Sequence, residues 1–303
     1  MKVILLGAAA GGGFPQWNCW CPGCRTARAD PARARPRTQS SIAVSGDGTR
    51  WVLINASPDV REQLARIARP TPPPGVVRDV PIEGVVVTDA ELDHTIGLLL
   101  MREARAMRVY ATAEVTRVLE RDSRILPTLR AFAAVSLVPL VLDSPVTLRD
   151  RAGDDAGLTV EAFAVHGDLP RFAGAESAGS TVGLLLSDGA GATVAYIPGC
   201  GAIDAAVMDR CRRADAVLFD GTFWSDDELE ALGISGSRAR QMGHVPIGGA
   251  DGSLAVLSGL SARHRIYVHI NNTNPILIEG SSERQAVEAR GVVVGVDGLA
   301  IDL

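Results

Sequence analysis

Residues 85–99 read VVVTDAELDHTIGLL and join a predicted strand to a predicted helix. Its three consecutive valines are typical of a buried β-strand, and the apolar spacing from Ile96 onward is typical of a helix. The polar residues between them therefore lie on a strand-to-helix loop. A rigid scaffold commonly places functional side chains on such a loop.

Four side chains on this loop can bind a metal ion or transfer a proton: Asp89, Glu91, Asp93 and His94. Their density directly after a buried strand favours a metal or acid–base site over a solvated turn. The alternative is an N-capping turn, in which Asp89 or Asp93 accepts hydrogen bonds from helix N–H groups.

The loop resembles the metallo-β-lactamase superfamily motif Thr-His-x-His-x-Asp-His followed by Gly-Leu. The matching positions are Thr88, Asp93, His94, Gly97 and Leu98. Asp89 and Glu91 stand where the family has two histidines, which there bind the first of two metal ions, while the Asp-His pair serves the second. The resemblance therefore implies an α/β fold, a metallo-β-lactamase-like αβ/βα four-layer sandwich, in which the second metal site is kept.

Length and composition favour one domain spanning residues 1–303. A chain of 303 residues with 47% hydrophobic residues can bury a large core. A net charge of −5 argues against nucleic acid as a partner, and the arginine-rich residues 25–37 are more typical of a solvated loop. No apolar run approaches a membrane span, and residues 1–7 fit a first strand better than a signal sequence, so we expect a cytoplasmic protein.

A cluster of three cysteines, Cys19, Cys21 and Cys24, lies in a small insertion at about residues 17–38. Cys-x-Cys-x-x-Cys spacing can direct three thiolates at one ion, and zinc is the metal typical of such clusters. Disulfides are disfavoured because three is an odd number and no secretory signal is evident. In superfamily phosphodiesterases with the same insertion, the fourth ligand is a histidine three residues after the last active-site histidine. That position is Asn272 here, which leaves the fourth ligand open.

Strand and helix alternate around the central loop, which indicates an α/β layered core. Alternating runs around residues 46–48 predict a β-hairpin, and residues 95–106 are expected to form the helix after the loop. Three consecutive glycines at residues 11–13 allow positive φ and a close backbone approach beside a site.

His269 follows an apolar strand and precedes a run of amide side chains. This segment resembles the last superfamily motif, whose histidine completes the second metal site, and we favour a ligand over a core histidine. His166 also ends an apolar strand, where either a metal ligand or a backbone-bonded histidine fits.

Three further positions bear on the site. Asp220 ends a strand and is either a ligand, a carboxylate that orients one, or a turn cap. His244 lies in a segment that resembles the superfamily's Gly-His segment, which contributes a residue near the substrate. Gly199 stands where many superfamily hydrolases have a metal-bridging aspartate.

The remaining ligand set is Asp93, His94 and His269. Two imidazoles and one carboxylate around one metal, with open positions, are the set used by non-haem Fe(II) oxygenases. A binuclear hydrolase needs ligands for two ions about 3.5–4 Å apart. That arrangement is poorer here, although Asp89, Glu91 and Asp220 could still bind a hard second ion.

Several motifs between residues 11 and 277 resemble the PqqB family of pyrroloquinoline quinone (PQQ) synthesis proteins. They include GGGFPQWNC, NASPD, DGTFW, MGH and HINNTNPIL. The resemblance implies a role in making PQQ from a glutamate–tyrosine peptide, together with other PQQ biosynthesis proteins. The activity it implies is iron- and O2-dependent hydroxylation of the tyrosine ring, and the alternative is a soluble carrier of PQQ or its precursor to the periplasm.

The resulting prediction is Fe(II) on Asp93, His94 and His269, with O2 as co-substrate and structural zinc on the three cysteines. The side chains of Asp89, Glu91, Asp220 and His244 are expected to orient ligands or substrate. A metal-dependent hydrolase with an atypical binuclear site is a further alternative, and a homodimer is compatible with the sequence.

Overall fold

The computed structural model describes residues 1–68, 74–79, 81–174 and 179–303. The strands are β1 (Lys2–Gly7), β2 (Ser41–Ser45), β3 (Trp51–Ile54), β4 (Ile82–Val86), β5 (Ala106–Thr112), β6 (Ala134–Leu140), β7 (Pro145–Arg149), β8 (Asp155–Ala164), β9 (Val182–Asp188), β10 (Thr193–Ile197), β11 (Ala216–Asp220), β12 (His264–Val268), β13 (Val293–Val294) and β14 (Ala300–Asp302). The α-helices are α1 (Pro22–Ala29), α2 (Val60–Ala65), α3 (Leu92–Thr95), α4 (Gly97–Leu100), α5 (Ala113–Arg117), α6 (Ile125–Arg130), α7 (Ala205–Arg213), α8 (Glu228–Ala231), α9 (Ser253–Ser258) and α10 (Ser282–Glu288). A π-helical turn spans Val118–Asp122, and 3₁₀ turns span Arg240–Met242 and Pro275–Leu277.

The strands form two mixed sheets of seven strands each. The first sheet has the order β14-β1-β2-β3-β4-β5-β6, and the second has the order β13-β12-β11-β10-β9-β8-β7. Strands β3 to β6 of the first sheet are mutually parallel, as are β10 to β13 of the second. The remaining pairs are antiparallel.

Three buried apolar clusters divide the molecule into layers. The inner cluster joins the facing sides of both sheets and includes Val86 and Val268. A second cluster packs α2 and α4 to α6 on the outer face of the first sheet, and a third packs α1, α7, α9 and α10 on the outer face of the second. This order of helix, sheet, sheet and helix confirms the predicted αβ/βα sandwich.

The predicted hairpin is confirmed, since β2 and β3 pair antiparallel. The helix expected over residues 95–106 is wrong, because only α4 (Gly97–Leu100) forms there and strand β5 already begins at Ala106. Gly97 docks the helix closely: a Cβ atom there would lie 2.2 Å from the backbone oxygen of Ser57, and its N–H donates to Ala56 O. This tight docking fixes a short helix against the preceding loop.

The parallel strands bring their carboxyl ends to one edge of the sandwich. The loop after β4, the end of β11 and the residue after β12 carry Asp89, Asp220 and His269 to that edge. None of the helices in the described ranges has both the length and the apolar character needed to cross a membrane. The prediction of one domain over residues 1–303 with a zinc-binding insertion at about 17–38 stays a prediction.

Candidate metal centre

The loop after β4 fixes the ring of His94. The two carboxylate oxygens of Asp89 lie 2.8 and 2.7 Å from His94 Nδ1. Asp89 is itself held, because the Thr88 hydroxyl donates to Oδ2 and the Glu91 N–H donates to Oδ1. A carboxylate that accepts from one imidazole nitrogen leaves the other nitrogen as the metal-binding atom.

That other nitrogen, His94 Nε2, is buried without a hydrogen-bond partner among the described residues. Asp93 Oδ2 lies 4.0 Å from it and 3.3 Å from His269 Nε2. The ligand atoms of these three residues all lie within 4.8 Å of one another. Since leaving a buried nitrogen unpaired costs free energy, the arrangement fits a metal ion at this point.

His269 is held from behind by Thr222. The Thr222 hydroxyl lies 2.6 Å from Asp220 Oδ1 and 2.9 Å from His269 Nδ1. The hydroxyl has one proton, which we assign to the carboxylate, so Nδ1–H donates to Thr222 and Nε2 keeps its lone pair toward Asp93. His269 also has a φ of 53°, a left-handed conformation with a cost on the order of 1–3 kcal/mol that is common at functional sites.

The glycine-rich segment after β1 passes directly over the centre. A Cβ atom on Gly11 would lie 3.3 Å from Asp93 Oδ2, and Gly12 has a φ of 92°. Ala10 N–H donates to Ile270 O, which anchors the segment beside His269. The predicted close approach of glycine backbone to a site is therefore what the structure contains.

His244 and Asp220 form a second imidazole–carboxylate pair. Asp220 Oδ2 lies 2.7 Å from His244 Nδ1, and the His244 ring stacks on His269 with centroids 5.6 Å apart. The ligand atoms of Asp220, His244 and His269 also lie within 4.8 Å of one another. Asp220 is fully buried and already accepts from Cys200 N, Thr222 and His244, which favours an orienting role over metal ligation.

Carboxylates dominate the electrostatics of the centre. Burial alone would lower the pKa of His94, but Asp89 and Asp93 raise it to about 9. Burial, followed by repulsion from Asp89 and Asp93, raises the pKa of Glu91 to about 7. Burial would also lower the pKa of His244, and Asp220 outweighs that effect and raises it. This excess of negative charge favours a cation.

The three cysteines form a separate cluster in which the sulfur atoms of Cys19, Cys21 and Cys24 lie within 4.8 Å of one another. Asn272 covers this cluster: its side-chain nitrogen lies 3.4 Å from Cys24 Sγ, and Cys21 Sγ donates to its backbone oxygen at 3.4 Å. The thiol of Cys21 lowers the pKa of Cys24 to about 7. The resemblance assigned the position of the fourth ligand to residue 272, and the Asn272 side chain does lie against these sulfur atoms.

Two other predicted positions lie differently. The His166 side chain is 67% exposed, and its Nε2 lies 3.5 Å from Asp204 rather than among the ligand atoms above. Gly199 does border the centre, because a Cβ atom there would contact His244 Cε1 at 3.8 Å. Gly199 therefore lies beside His244 and carries no carboxylate.

Sequence reasoning gave no role to Thr222 or Phe223. Thr222 links Asp220 to His269, and the Phe223 ring meets the His244 ring edge-on with centroids 5.9 Å apart. Both residues lie in DGTFW, a motif that the sequence marked only as part of a family pattern. That motif was the available signal.

The chain resembles known proteins in both sequence and fold. The β-lactamase superfamily domain model matches residues 50–270. Coenzyme PQQ synthesis protein B of Ruegeria pomeroyi is 46% identical over the full length of both chains. The crystal structure of Zn²⁺-bound PqqB from Methylobacterium extorquens has a TM-score of 0.89, 40% identity and full coverage of both chains. A diphosphatase of the PhnP family shares the fold, with a TM-score of 0.68, 21% identity, and coverage of 100% of this chain and 97% of that one.

Proposed function

The chain belongs to the coenzyme PQQ synthesis protein B family within the β-lactamase superfamily, and we propose that it acts in PQQ biosynthesis as a metal-dependent oxygenase. The substrate is a Glu-Tyr-derived precursor, and the reaction hydroxylates its tyrosine ring. One atom of O2 enters the ring and the other leaves as water, while a two-electron reductant such as ascorbate supplies two electrons and two protons.

One observation carries the proposal: Asp93, His94 and His269 direct one carboxylate oxygen and two imidazole nitrogens at one point. This is the ligand set that leaves adjacent positions open on Fe(II). Bound there, iron would supply the redox chemistry by which O2 reacts. Three protein ligands also suit catalytic zinc, so the choice of metal is decided by experiment.

Residues around the proposed metal ligands orient their rings and can exchange a proton with the substrate. Asp89 keeps His94 in the tautomer whose Nε2 faces the metal, and Thr222 does the same for His269. Asp220 accepts the Nδ1–H of His244, which leaves His244 Nε2 to exchange a proton with a substrate hydroxyl. Glu91, with its raised pKa, is a second proton carrier beside the ligands.

The test uses protein loaded with Fe(II) under anaerobic conditions and then given a glutamyl-tyrosine peptide, reductant and O2. We expect O2 uptake and a product heavier by one oxygen atom. Asp93→Ala and His269→Ala should lose both iron and turnover. If either variant keeps both, the assigned ligand set is wrong.

A hydrolase is the second candidate, because Asp220, His244 and His269 form an adjoining cluster. Its second ion would need Asp220 to give up hydrogen bonds it already makes, and Gly199 offers no bridging carboxylate. Two metal equivalents bound outside the cysteine cluster, with phosphodiester cleavage and no oxygenation, would favour the hydrolase. Tight binding of finished PQQ without O2 uptake would favour a soluble carrier.

We further propose structural zinc on Cys19, Cys21 and Cys24, a cytoplasmic location and action alongside other PQQ biosynthesis proteins. The sulfur geometry and the Asn272 contacts support the zinc assignment. A homodimer remains a prediction from sequence.

A further inference from the structure

A cavity of about 650 Å³ lies beside the cysteine cluster. One wall comes from the cysteine-rich segment and includes Trp20 and Arg25. Phe223 and Met242 also line the cavity, and Asn271 and Thr273 contribute to the lining from the segment after His269. A volume of this size falls within the range for small-molecule sites, which is roughly 300–1,000 Å³.

Two residues that line the cavity also contact residues around the metal centre. Phe223 lines the cavity and also meets the His244 ring. Gln16 lines the cavity as well, and its side chain packs against Gly12, next to the glycine that contacts Asp93. The cavity is therefore adjacent to the metal centre.

The charged side chains of the lining indicate which kind of ligand the cavity favours. Among the described residues that line the cavity, Arg25 is the one cationic side chain, and none carries a carboxylate. The chain as a whole has a net charge of −5. The side-chain amides of Gln16, Asn18 and Asn271 add hydrogen-bond donors. A cation with amides and without a competing carboxylate favours an anionic ligand.

The apolar part of the lining is held in place. Trp20 is 66% exposed, and the Arg28 guanidinium lies 4.5 Å from the centroid of its ring. Arg28 also donates to Cys19 O at 2.6 Å and to Gln16 O at 2.5 Å, so its guanidinium is held by the backbone of both residues. An exposed aromatic ring fixed in this way offers a flat surface to a ligand.

We propose that this cavity binds the carboxylate-bearing glutamyl portion of the substrate while its tyrosine ring lies at the metal centre. Arg25 pairs with a glutamyl carboxylate, and Trp20 covers the methylene groups. The assignment rests on the proposed function for the identity of the substrate, and it adds the residues that select that substrate.

The test measures binding of glutamyl-tyrosine to the zinc-loaded protein by calorimetry without O2, so that no turnover is required. Arg25→Gln should weaken binding about fivefold to tenfold, because the paired charge is lost at a partly solvated site. Arg25→Lys should bind nearly as well as the wild type. Arg35→Gln, an exposed arginine of the same segment outside the cavity lining, is the matched control and should leave binding unchanged.

A second ligand keeps the proposal testable even where a variant loses stability. Glutaminyl-tyrosine, which lacks the side-chain carboxylate, should bind the wild type about as weakly as glutamyl-tyrosine binds Arg25→Gln, and its binding should not respond to Arg25→Gln. Equal binding of the two peptides by the wild type, or no effect of Arg25→Gln on glutamyl-tyrosine, would overturn the assignment.

The two proposals fail in different ways. Arg25-dependent binding without iron-dependent O2 uptake would refute the oxygenase and leave the cavity assignment in place. Oxygenation of the peptide with an unchanged KM in Arg25→Gln would refute the cavity assignment and leave the oxygenase.

Discussion

Both carboxylate oxygens of Asp89 lie within 2.8 Å of His94 Nδ1, so this aspartate, at a position where the superfamily has a histidine, orients the ring of a proposed metal ligand. Asp89→Asn should weaken binding of the active-site metal about 10- to 100-fold, since the amide cannot supply the negative charge that supports the imidazole. Chelator competition measures the affinity.

Asp204→Asn is the matched control for Asp89→Asn. Asp204 faces the exposed His166, and asparagine can still cap α7 at this position. We expect unchanged metal affinity in this variant. Equal metal affinities for Asp89→Asn and the wild type would show that Asp89 does not support metal binding.

His244→Gln separates proton handling from metal binding. Because His244 is oriented by Asp220 and lies next to His269, we expect turnover to fall by about 100-fold or more. Iron bound to Asp93, His94 and His269 should remain at the wild-type level. Loss of one metal equivalent in His244→Gln would instead place this histidine in a second metal site.

Cys21→Ser tests the zinc cluster. The three sulfur atoms converge beneath Asn272, so removing one should release the zinc and lower the free energy of unfolding by at least about 2 kcal/mol. Elemental analysis and denaturant unfolding measure the two effects. Cys211→Ser, at a buried cysteine on α7, should keep the zinc, and unchanged zinc content in Cys21→Ser would refute the cluster.

Glu228 should make stability depend on pH. Burial raises the pKa of Glu228 from 4.5 to about 7, even though Thr273 and the Trp224 N–H both donate to its carboxylate. The folded state therefore holds the proton more tightly than the unfolded chain. Ionisation of Glu228 therefore lowers the free energy of unfolding. This loss is absent below pH 4.5, grows as the pH rises to about 7 and stays constant above that.

Glu228→Gln should remove this loss, because its amide can donate to Thr273 and accept from Trp224 N–H. Its stability relative to the wild type should rise between about pH 5 and pH 8, by as much as about 3 kcal/mol. Urea unfolding at both pH values measures the difference. Glu230→Gln, an exposed residue of the same helix, should show no such trend, and an equal response in both variants would contradict the assignment.

Local pattern was enough to predict the strand that feeds the site. The valine run of β4 and the polar loop behind it follow from side-chain periodicity. His269 was predicted to be a ligand from its place at the end of an apolar strand together with the resemblance to the last superfamily motif. The cysteine spacing predicted the sulfur cluster for a similar reason, since all three ligands lie within six residues.

Local sequence patterns could not predict the contacts between distant parts of the chain. Gly97 packs against the backbone of Ser57, which is forty positions earlier, and local periodicity does not reveal that contact. His244 stacks on His269 and His166 turns toward Asp204 because the ends of different strands and loops meet at one edge. Both histidines end apolar strands. The resemblance to the last superfamily motif favoured His269 as a ligand and left His166 open, and packing turns His166 away from the ligand atoms.

The origin of the added oxygen atom distinguishes an oxygenase from a hydrolase or a carrier. The iron-loaded protein is given glutamyl-tyrosine, reductant and isotopically labelled O2, and the mass of the product is recorded. Our account predicts one labelled oxygen atom on the tyrosine ring, with a yield that depends on iron and is lost in Asp93→Ala. An unlabelled product, or no modification of the ring with iron bound, would contradict it.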